Sequence, residues 1–142
     1  VLVQKEMAHR LVAQSGTTDY GPLTAGLSWV YQGGILRDVG GASFWPRPKV
    51  ESSVVRLQRR TTFPPAAERG LALGRIRTLF TRRRQTLVRV MGDLGADREA
   101  LRAALAQAGM AADVRAETLD ANTLRDWVLG PHWPQDGPET SP

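Results

Sequence analysis

Residues 44–65 read FWPRPKVESSVVRLQRRTTFPP. Within this stretch the predicted secondary structure changes from a mixture of strands and helices to helices alone. In residues 52–59 apolar and polar side chains alternate around a Val-Val pair, a pattern typical of a β-strand. Residues 61–65 end in two consecutive prolines, which lack the N–H group that a helix or a sheet would use. We therefore predict a strand followed by a linker that separates two parts of the chain.

The part before the linker mixes a helix with short strands. Apolar residues recur at helical spacing over residues 4–14. Residues 23–31 are apolar and fit either a short buried helix or a strand, and Gly33-Gly34 is expected to end that element. Residues 35–39 predict a short strand. The fold class is therefore α/β in this part of the chain.

The part after the linker is predicted to be entirely helical. Residues 66–94 carry one long apolar stripe, and the weak helix formers Gly74 and Gly92 allow a break inside it. Asp97 and Asp120 are expected to cap the two helices that follow, because their carboxylates can accept hydrogen bonds from the first free N–H groups. A small all-α domain is the expected result.

Composition excludes several classes of protein. The chain has 142 residues, no cysteine and two histidines, which excludes a disulfide scaffold, a thiolate zinc site and a histidine-rich metal site, so we expect no metal. It has no apolar run long enough to span a membrane and no signal peptide, so we expect a soluble cytoplasmic protein. The chain begins with Val1, and a β-branched start followed at once by a helical pattern predicts a fragment that begins within a strand.

Positive charge is concentrated in the middle of the chain. The net charge is +5, yet residues 69–102 carry +6 and residues 103–142 carry −4. Of the 19 basic residues, 17 are arginines, whose planar fork suits phosphate groups. The pattern fits a nucleic-acid surface. Arginine-rich codon usage combined with a solvated helix face explains it equally well.

The proline-rich segment at residues 44–52 also allows two interpretations. Its two alternate prolines force an extended backbone, on which Phe44 can act as a stacking platform for a nucleobase. Alternatively, the loop is a simple connection between strands, and Phe44 and Trp45 fill the core.

Five segments resemble, in the same order, motifs of the ribosomal RNA adenine dimethyltransferases. The longest, FWPRPKVESSVVRL at residues 44–57, is similar to the family's F-x-P-x-P-K-V-D-S-A-V-V-R-L. The other four are VQKEMAHRL at 3–11, DYGPLT at 19–24, FTRRRQTL at 80–87 and RAETL at 115–119. The chain departs from the family at Arg47, Glu51 and Gln85, where the family has Pro, Asp and Lys.

The resemblance implies a fold and a division into domains. In this family a seven-stranded Rossmann-like class I methyltransferase domain precedes a small helical domain. Residues 1–61 would be the C-terminal part of the Rossmann-like domain, holding the end of the fifth strand and the last two strands. Residues 62–130 would be the helical C-terminal domain, and residues 131–142 a flexible tail.

The resemblance also implies an activity. Members of the family transfer methyl groups from S-adenosylmethionine to N6 of two adjacent adenosines near the 3′ end of small-subunit rRNA, a step of ribosome biogenesis. The family's cofactor motifs, a Gly-rich loop and an N-L-P-Y segment among them, have no counterpart here. We therefore expect that the full-length enzyme uses S-adenosylmethionine, and that this chain contains no cofactor-binding residue and is inactive alone.

Site residues follow from the same motifs. Phe44 matches the residue that stacks on the target adenine. The resemblance implies that the partner of the protein is rRNA within a precursor of the 30S subunit. We also expect that the protein is a monomer and does not bind a membrane. The residues expected to contact RNA phosphates are Arg47, Lys49, Arg75, Arg82, Arg84 and Arg89. Of these, Arg75, Arg82 and Arg89 recur every seven residues and would form one stripe on a continuous helix.

Arg83 needs a separate explanation. On a continuous helix it falls within the apolar arc, where an unpaired charge would be very costly. We therefore predict an ion pair between Arg83 and Glu117, the acidic residue of the RAETL motif.

Two alternative functions remain open at this point. One is an RNA-binding module without catalytic activity. The other is the related large-subunit rRNA adenine methylase that confers antibiotic resistance.

Overall fold

A computed structural model describes residues 1–135 of the chain. Its helices and strands are β1 (Leu2–Gln4), α1 (Lys5–Leu11), α2 (Pro22–Val30), β2 (Tyr31–Val39), β3 (Ser52–Arg59), α3 (Ala66–Phe80), α4 (Leu87–Asp93), α5 (Arg98–Gln107) and α6 (Ala121–Leu129). The fold is therefore mixed α/β, with a helical second part as predicted. None of the described helices is long and apolar enough to cross a membrane.

The three strands form one sheet in which β3, the last in sequence, lies in the middle. It pairs antiparallel with β1 on one side and with β2 on the other. Ser53 and Val55 of β3 are completely buried, as expected for a central strand. The predicted strand over residues 52–59 is confirmed.

β2 is longer than predicted. It begins at Tyr31 and passes through Gly33 and Gly34, which pair with Leu57 and Arg56 of β3. The two glycines were expected to end the preceding element, and that prediction is wrong. A Cβ at Gly33 would lie 3.2 Å from the Val12 side chain, so the glycine permits close packing onto the strand.

α2 decides the ambiguity at residues 23–31 in favour of a helix. Pro22 occupies its first turn, where the missing N–H group costs nothing. Ala25 and Trp29 are buried, and Trp29 Nε1 donates to the Ala121 carbonyl at 2.9 Å. α2 therefore packs into the same hydrophobic core as the helices after the linker.

The predicted helix over residues 66–94 is two helices. α3 ends at Phe80 and α4 begins at Leu87, with a turn over residues 81–86 between them. The break does not fall at Gly74 or Gly92, which lie inside α3 and α4. Thr86 caps α4, because its hydroxyl accepts from the backbone N–H three residues later at 3.2 Å.

The core of the helical part is formed by large aliphatic side chains from four helices and by two tryptophans. Its most deeply buried members are Ile76, Leu79, Leu87, Met91, Leu101, Leu105, Leu124 and Val128.

Both predicted aspartate caps are present. Asp97 accepts from two N–H groups at the start of α5, and Asp120 does the same at the start of α6. The pKa of Asp120 is held below its usual value, chiefly by the backbone N–H of Thr123. Nearby, burial and the negative charge of Asp120 raise the pKa of Tyr20, whose hydroxyl donates to the Leu119 carbonyl at 2.8 Å.

The predicted flexible tail is wrong at its beginning. Trp133 is 3% exposed and belongs to the core, with the Arg75 guanidinium 5.2 Å from the centre of its ring. Burial of this large aromatic side chain stabilises the packed position of the segment, although prolines lie next to it in the sequence. The remaining residues of that segment, 136–142, lie outside the described residues.

Candidate nucleic-acid interface

The proline loop, defined here as residues 40–51, connects β2 to β3 at one end of the sheet. Trp45 is 96% exposed, so the alternative in which it fills the core is wrong. Phe44 is half-buried and lies outside the hydrophobic core of the described residues. The loop therefore presents two neighbouring aromatic rings at the end of the sheet.

The two ends of the proline loop are joined by one lysine. Lys5 Nζ lies 2.9 Å from Glu51 Oε2 and 3.1 Å from Asp38 Oδ2, and the Ser53 hydroxyl donates to Asp38 Oδ1 at 2.6 Å. Hydrogen bonds from Ser53 and Lys5 lower the pKa of Asp38, and the two carboxylates raise the pKa of Lys5. Lys5 and Asp38 therefore stay charged at neutral pH, and the contacts of Lys5 with Asp38 and Glu51 hold the base of the loop together.

The interior of the loop is also closely packed. A Cβ at Gly41 would lie 3.2 Å from the Pro48 carbonyl oxygen and 3.5 Å from Arg47 Cγ. Arg47 therefore folds back over the start of the loop, while its side chain remains exposed beside exposed Lys49. These two cations lie within five residues of Phe44 along the chain.

The arginine turn, defined as residues 81–86, contains three successive arginines with different surroundings. Arg82 Nη1 lies 2.9 Å from Asp93 Oδ2, and Arg83 Nε lies 2.7 Å from Glu117 Oε2. Arg84 is exposed and has no ion-pair partner among residues 1–135. The Arg83–Glu117 contact joins the two residues that the sequence-based hypothesis paired, but on a turn instead of a buried helical face.

Arg83 also connects the two parts of the chain. Its Nη1 donates to the Thr18 carbonyl at 3.4 Å, and the backbone N–H of Gly16 donates to the Glu117 carbonyl at 2.7 Å. The segment 5–18 thus runs from the base of the proline loop to the arginine turn.

The predicted stripe of Arg75, Arg82 and Arg89 does not exist. Arg75 points into the helical part, where its Nη1 donates to the Val128 carbonyl at 2.6 Å and its guanidinium stacks on Trp133. Arg82 and Arg89 lie beyond the end of α3, so the seven-residue spacing no longer places them in line with Arg75. The end of α3 at Phe80 is the physical reason, since the spacing argument requires one continuous helix.

Arginines that sequence reasoning missed lie beside the turn. Arg98 and Arg102 of α5 join Arg89 around a cavity of about 360 Å³ that we call the arginine cavity. Asp93 is at its wall and pairs with Arg98 at 2.6 Å. The signal in the sequence was the spacing of four between Arg98 and Arg102, which places both on one face of a helix.

Two of the three carboxylates that line the described cavities are not available to the ribose of S-adenosylmethionine. Holding the ribose of such a cofactor requires a free carboxylate beside an apolar cavity. Asp93 is occupied by two arginines, and Asp120 is occupied by the N–H groups of α6. Asp126, beside a cavity lined by Trp127, is exposed and lies 3.5 Å from Arg125. Within residues 1–135, no group of three or more acidic or histidine side chains is placed to hold a metal ion.

Comparison with known proteins agrees with the family that the sequence motifs resemble. The profile of a family described as "Ribosomal RNA adenine dimethylase" matches residues 1–126. Among curated proteins, the chain is 41% identical over 128 residues to the ribosomal RNA small subunit methyltransferase A of Deinococcus radiodurans, covering 88% of this chain and 42% of that protein. It is 34% identical over 128 residues to the protein of the same name from Acidothermus cellulolyticus, covering 90% and 43%. The chain therefore spans less than half the length of these relatives.

Two solved structures have the same fold. A dimethyladenosine transferase from Plasmodium falciparum is similar with a TM-score of 0.72 and 23% identity, over 90% of this chain and 54% of that one. The 23S rRNA methyltransferase ErmE is similar with a TM-score of 0.62 and 23% identity, over 91% and 53%. At this identity the likeness concerns the fold alone.

Proposed function

Because the chain belongs to the ribosomal RNA adenine dimethylase family, we propose that it forms the RNA-recognising part of an rRNA adenine N6-dimethyltransferase. The whole enzyme would transfer methyl groups from S-adenosylmethionine to N6 of two adjacent adenosines near the 3′ end of small-subunit rRNA. The observation that carries the proposal is the proline loop, which brings Phe44 and exposed Trp45 into one short segment with the exposed cations Arg47 and Lys49.

Phe44 would receive the target adenine on its ring. An enzyme that modifies a base edge takes the base out of its stack, and an aromatic side chain replaces part of the lost stacking energy. The Lys5 bridge supports this role, because a loop that is ordered before binding loses less entropy when the base arrives. Arg47 and Lys49 would hold the flanking phosphates.

The cofactor would be bound by sequence that this chain does not contain. The chain spans only 42–45% of the length of curated relatives and lacks the Gly-rich loop that the family resemblance would lead one to expect. β1 supports the same view, since its edge opposite β3 has no strand partner among residues 1–135, and Leu2 on this strand is 53% exposed. Further strands would pair with that edge.

The partner would be rRNA within a precursor of the small ribosomal subunit, met in the cytoplasm by a monomer. The names of the curated relatives favour the small subunit over the large one. The similarity to the 23S rRNA methyltransferase concerns the fold and does not favour a large-subunit target.

A chimera tests the proposal. The portion of the Deinococcus radiodurans relative that precedes the matched region is joined to Val1, and unmethylated small subunits are supplied with S-adenosylmethionine. We expect N6-dimethyladenosine at two adjacent positions, measured by mass spectrometry of the rRNA. Phe44→Ala should lower the rate about 5- to 150-fold, the equivalent of one stacking contact, and Phe44→Tyr should retain it.

The outcomes separate the two candidate functions. A folded chimera that binds S-adenosylmethionine yet forms no dimethyladenosine would contradict the proposed activity. If the chain alone still bound rRNA in that case, the RNA-binding module without catalysis would be the better description. The arginine turn and the arginine cavity would serve either candidate, because neither needs a cofactor to bind phosphate.

A further inference from the structure

A groove on the side of the molecule is not used by the function proposed above. It lies between α2 and α3, has a volume of about 540 Å³, and ends at the Tyr31–Arg59 pair of the β2–β3 hairpin. We call it the side groove. The proline loop is at the other end of the same hairpin, eight residues along β2, which is about 26 Å at 3.3 Å per residue.

The floor of the side groove is apolar and its rim is cationic. Leu23 and Leu73 line the floor, and Leu23 is 49% exposed. Arg59, Arg69 and Arg77 line the rim, and the groove's lining contains no acidic side chain. Three guanidinium groups without a neutralising carboxylate form a strongly positive local field, which favours an anionic occupant.

Phe63 holds two of these arginines in place. The Arg59 and Arg69 guanidinium carbons lie 4.9 Å and 5.6 Å from the centre of its ring. Arg69 also donates from Nε to the Pro64 carbonyl at 3.0 Å. These contacts use the ring face and one nitrogen, so the terminal nitrogens of Arg69 have no acceptor among residues 1–135.

Arginines that are held in position but keep unused donors are suited to phosphate. The planar fork binds two phosphate oxygens at once, and its fixed position reduces the entropy lost on binding. Apolar side chains, Leu23 and Leu73 among them, line the groove together with these arginines. A chain of alternating phosphates and bases matches this alternation of cations and apolar surface.

We propose that the side groove is a second RNA-binding site, which takes a single-stranded segment with its phosphates on Arg59, Arg69 and Arg77. It lies too far from Phe44 to touch the target adenine, so its role is affinity for a different segment of the RNA. The inference rests on the proposed function, because the family's action on rRNA favours RNA over an acidic peptide as the occupant.

The absence of cysteine from the sequence makes a local test possible. Leu23→Cys places a single thiol in the side groove, and Leu71→Cys places one on α3, outside the groove lining, at a similar exposure of 43%. Alkylation of each thiol is followed with and without a twelve-nucleotide oligouridylate. With the RNA at ten times its dissociation constant, we expect alkylation at position 23 to slow about tenfold and alkylation at position 71 to be unchanged.

Charge variants give the second measurement. Arg59→Ala with Arg77→Ala should reduce the salt dependence of oligouridylate binding by a slope of about 1.4, which is 0.7 for each single-strand phosphate contact. The matched control, Arg37→Ala with Arg56→Ala, removes the same charge from exposed positions that do not line the groove and should leave the slope unchanged.

Three results would overturn the inference. They are equal alkylation with and without RNA at position 23, equal slopes in the two charge variants, and protection by a twelve-residue polyglutamate but not by RNA. Phe44→Ala in the chimera reports on the proposed function separately. If its effect on methylation persists while the groove variants behave like their controls, only the side groove is rejected.

Discussion

Lys5 Nζ lies 2.9 Å from Glu51 Oε2, and this contact ties the first helix of the chain to the end of the proline loop. The same ammonium reaches Asp38 at the start of the loop, so one side chain fixes both ends. Lys5→Met should leave the helical core intact but loosen the loop, with faster amide hydrogen exchange in residues 40–51 and weaker binding of rRNA.

The control for this variant is Arg10→Met, which removes a charge from the other end of α1, where Arg10 pairs with exposed Glu6. Hydrogen exchange in the loop should be unchanged in this control. Equal exchange rates in the Lys5 variant and in the unmodified chain would show that the bridge does not order the loop.

Arg75 is expected to stabilise the fold without contributing to RNA affinity. Arg75→Ala removes the hydrogen bond to Val128 and the stacking on Trp133. We expect a loss of about 2 kcal/mol in the free energy of unfolding, measured by urea denaturation. The salt dependence of rRNA binding should not change.

Arg84 and Arg89 should show the opposite behaviour, because both are exposed. Replacing both by Ala should reduce the slope of log K against log[salt] by about 1.4 on single-stranded RNA. The free energy of unfolding should change by less than about 0.5 kcal/mol. An unchanged slope would remove these arginines from the interface.

The Arg83–Glu117 pair is expected to couple the two parts of the chain. Both side chains are partly buried, at 36% and 22% exposure, so the pair is less screened than a surface ion pair. A double-mutant cycle with Arg83→Ala and Glu117→Gln should give a coupling free energy of about 1 kcal/mol. A coupling of zero would mean that the contact contributes nothing to stability.

Asp120 makes part of the stability depend on pH. Its pKa is lowered in the folded state, so its contribution is present above the unfolded pKa of about 3.9 and is lost as the pH falls through the folded value. Asp120→Ala should cost about 1 kcal/mol at pH 7. The difference in unfolding free energy between the two proteins should shrink as the pH falls below about 4.

Local chemistry made several features predictable from the sequence. The caps at Asp97 and Asp120 depend only on a carboxylate followed by free N–H groups, and both are present. The strand at residues 52–59 has a period of two that no helix shares. The family followed from motifs whose order and spacing left little room for coincidence.

Features that depend on distant partners were not predictable. The glycines of β2 look like a stop until β3 pairs with them and Val12 packs against Gly33. Trp133 looks like a tail residue until Arg75 and the core are placed around it. The turn after Phe80 interrupts the helix that the periodic stripe predicted. The prediction that Arg75 lies in line with Arg82 and Arg89 was therefore wrong.

The bridge by Lys5 was not predictable either, although Lys5 lies in the VQKEMAHRL motif at residues 3–11. Lys5 precedes Asp38 and Glu51 by 33 and 46 residues, and no local pattern reports a contact at that separation. The antiparallel pairing of β3 with β1 on one side and with β2 on the other brings them together.

The central position of β3 determines when the sheet can form during synthesis of the chain. β1 ends at Gln4 and β2 at Val39, and neither can pair with β3 until β3 has been made through Arg59. At about 5–20 residues per second, the 55 residues after Gln4 take roughly 3–11 s to synthesise. β1 lacks this partner for the whole of that time and β2 for the last 20 residues, roughly 1–4 s, so a chaperone that shields extended apolar segments is expected to raise the yield of folded protein.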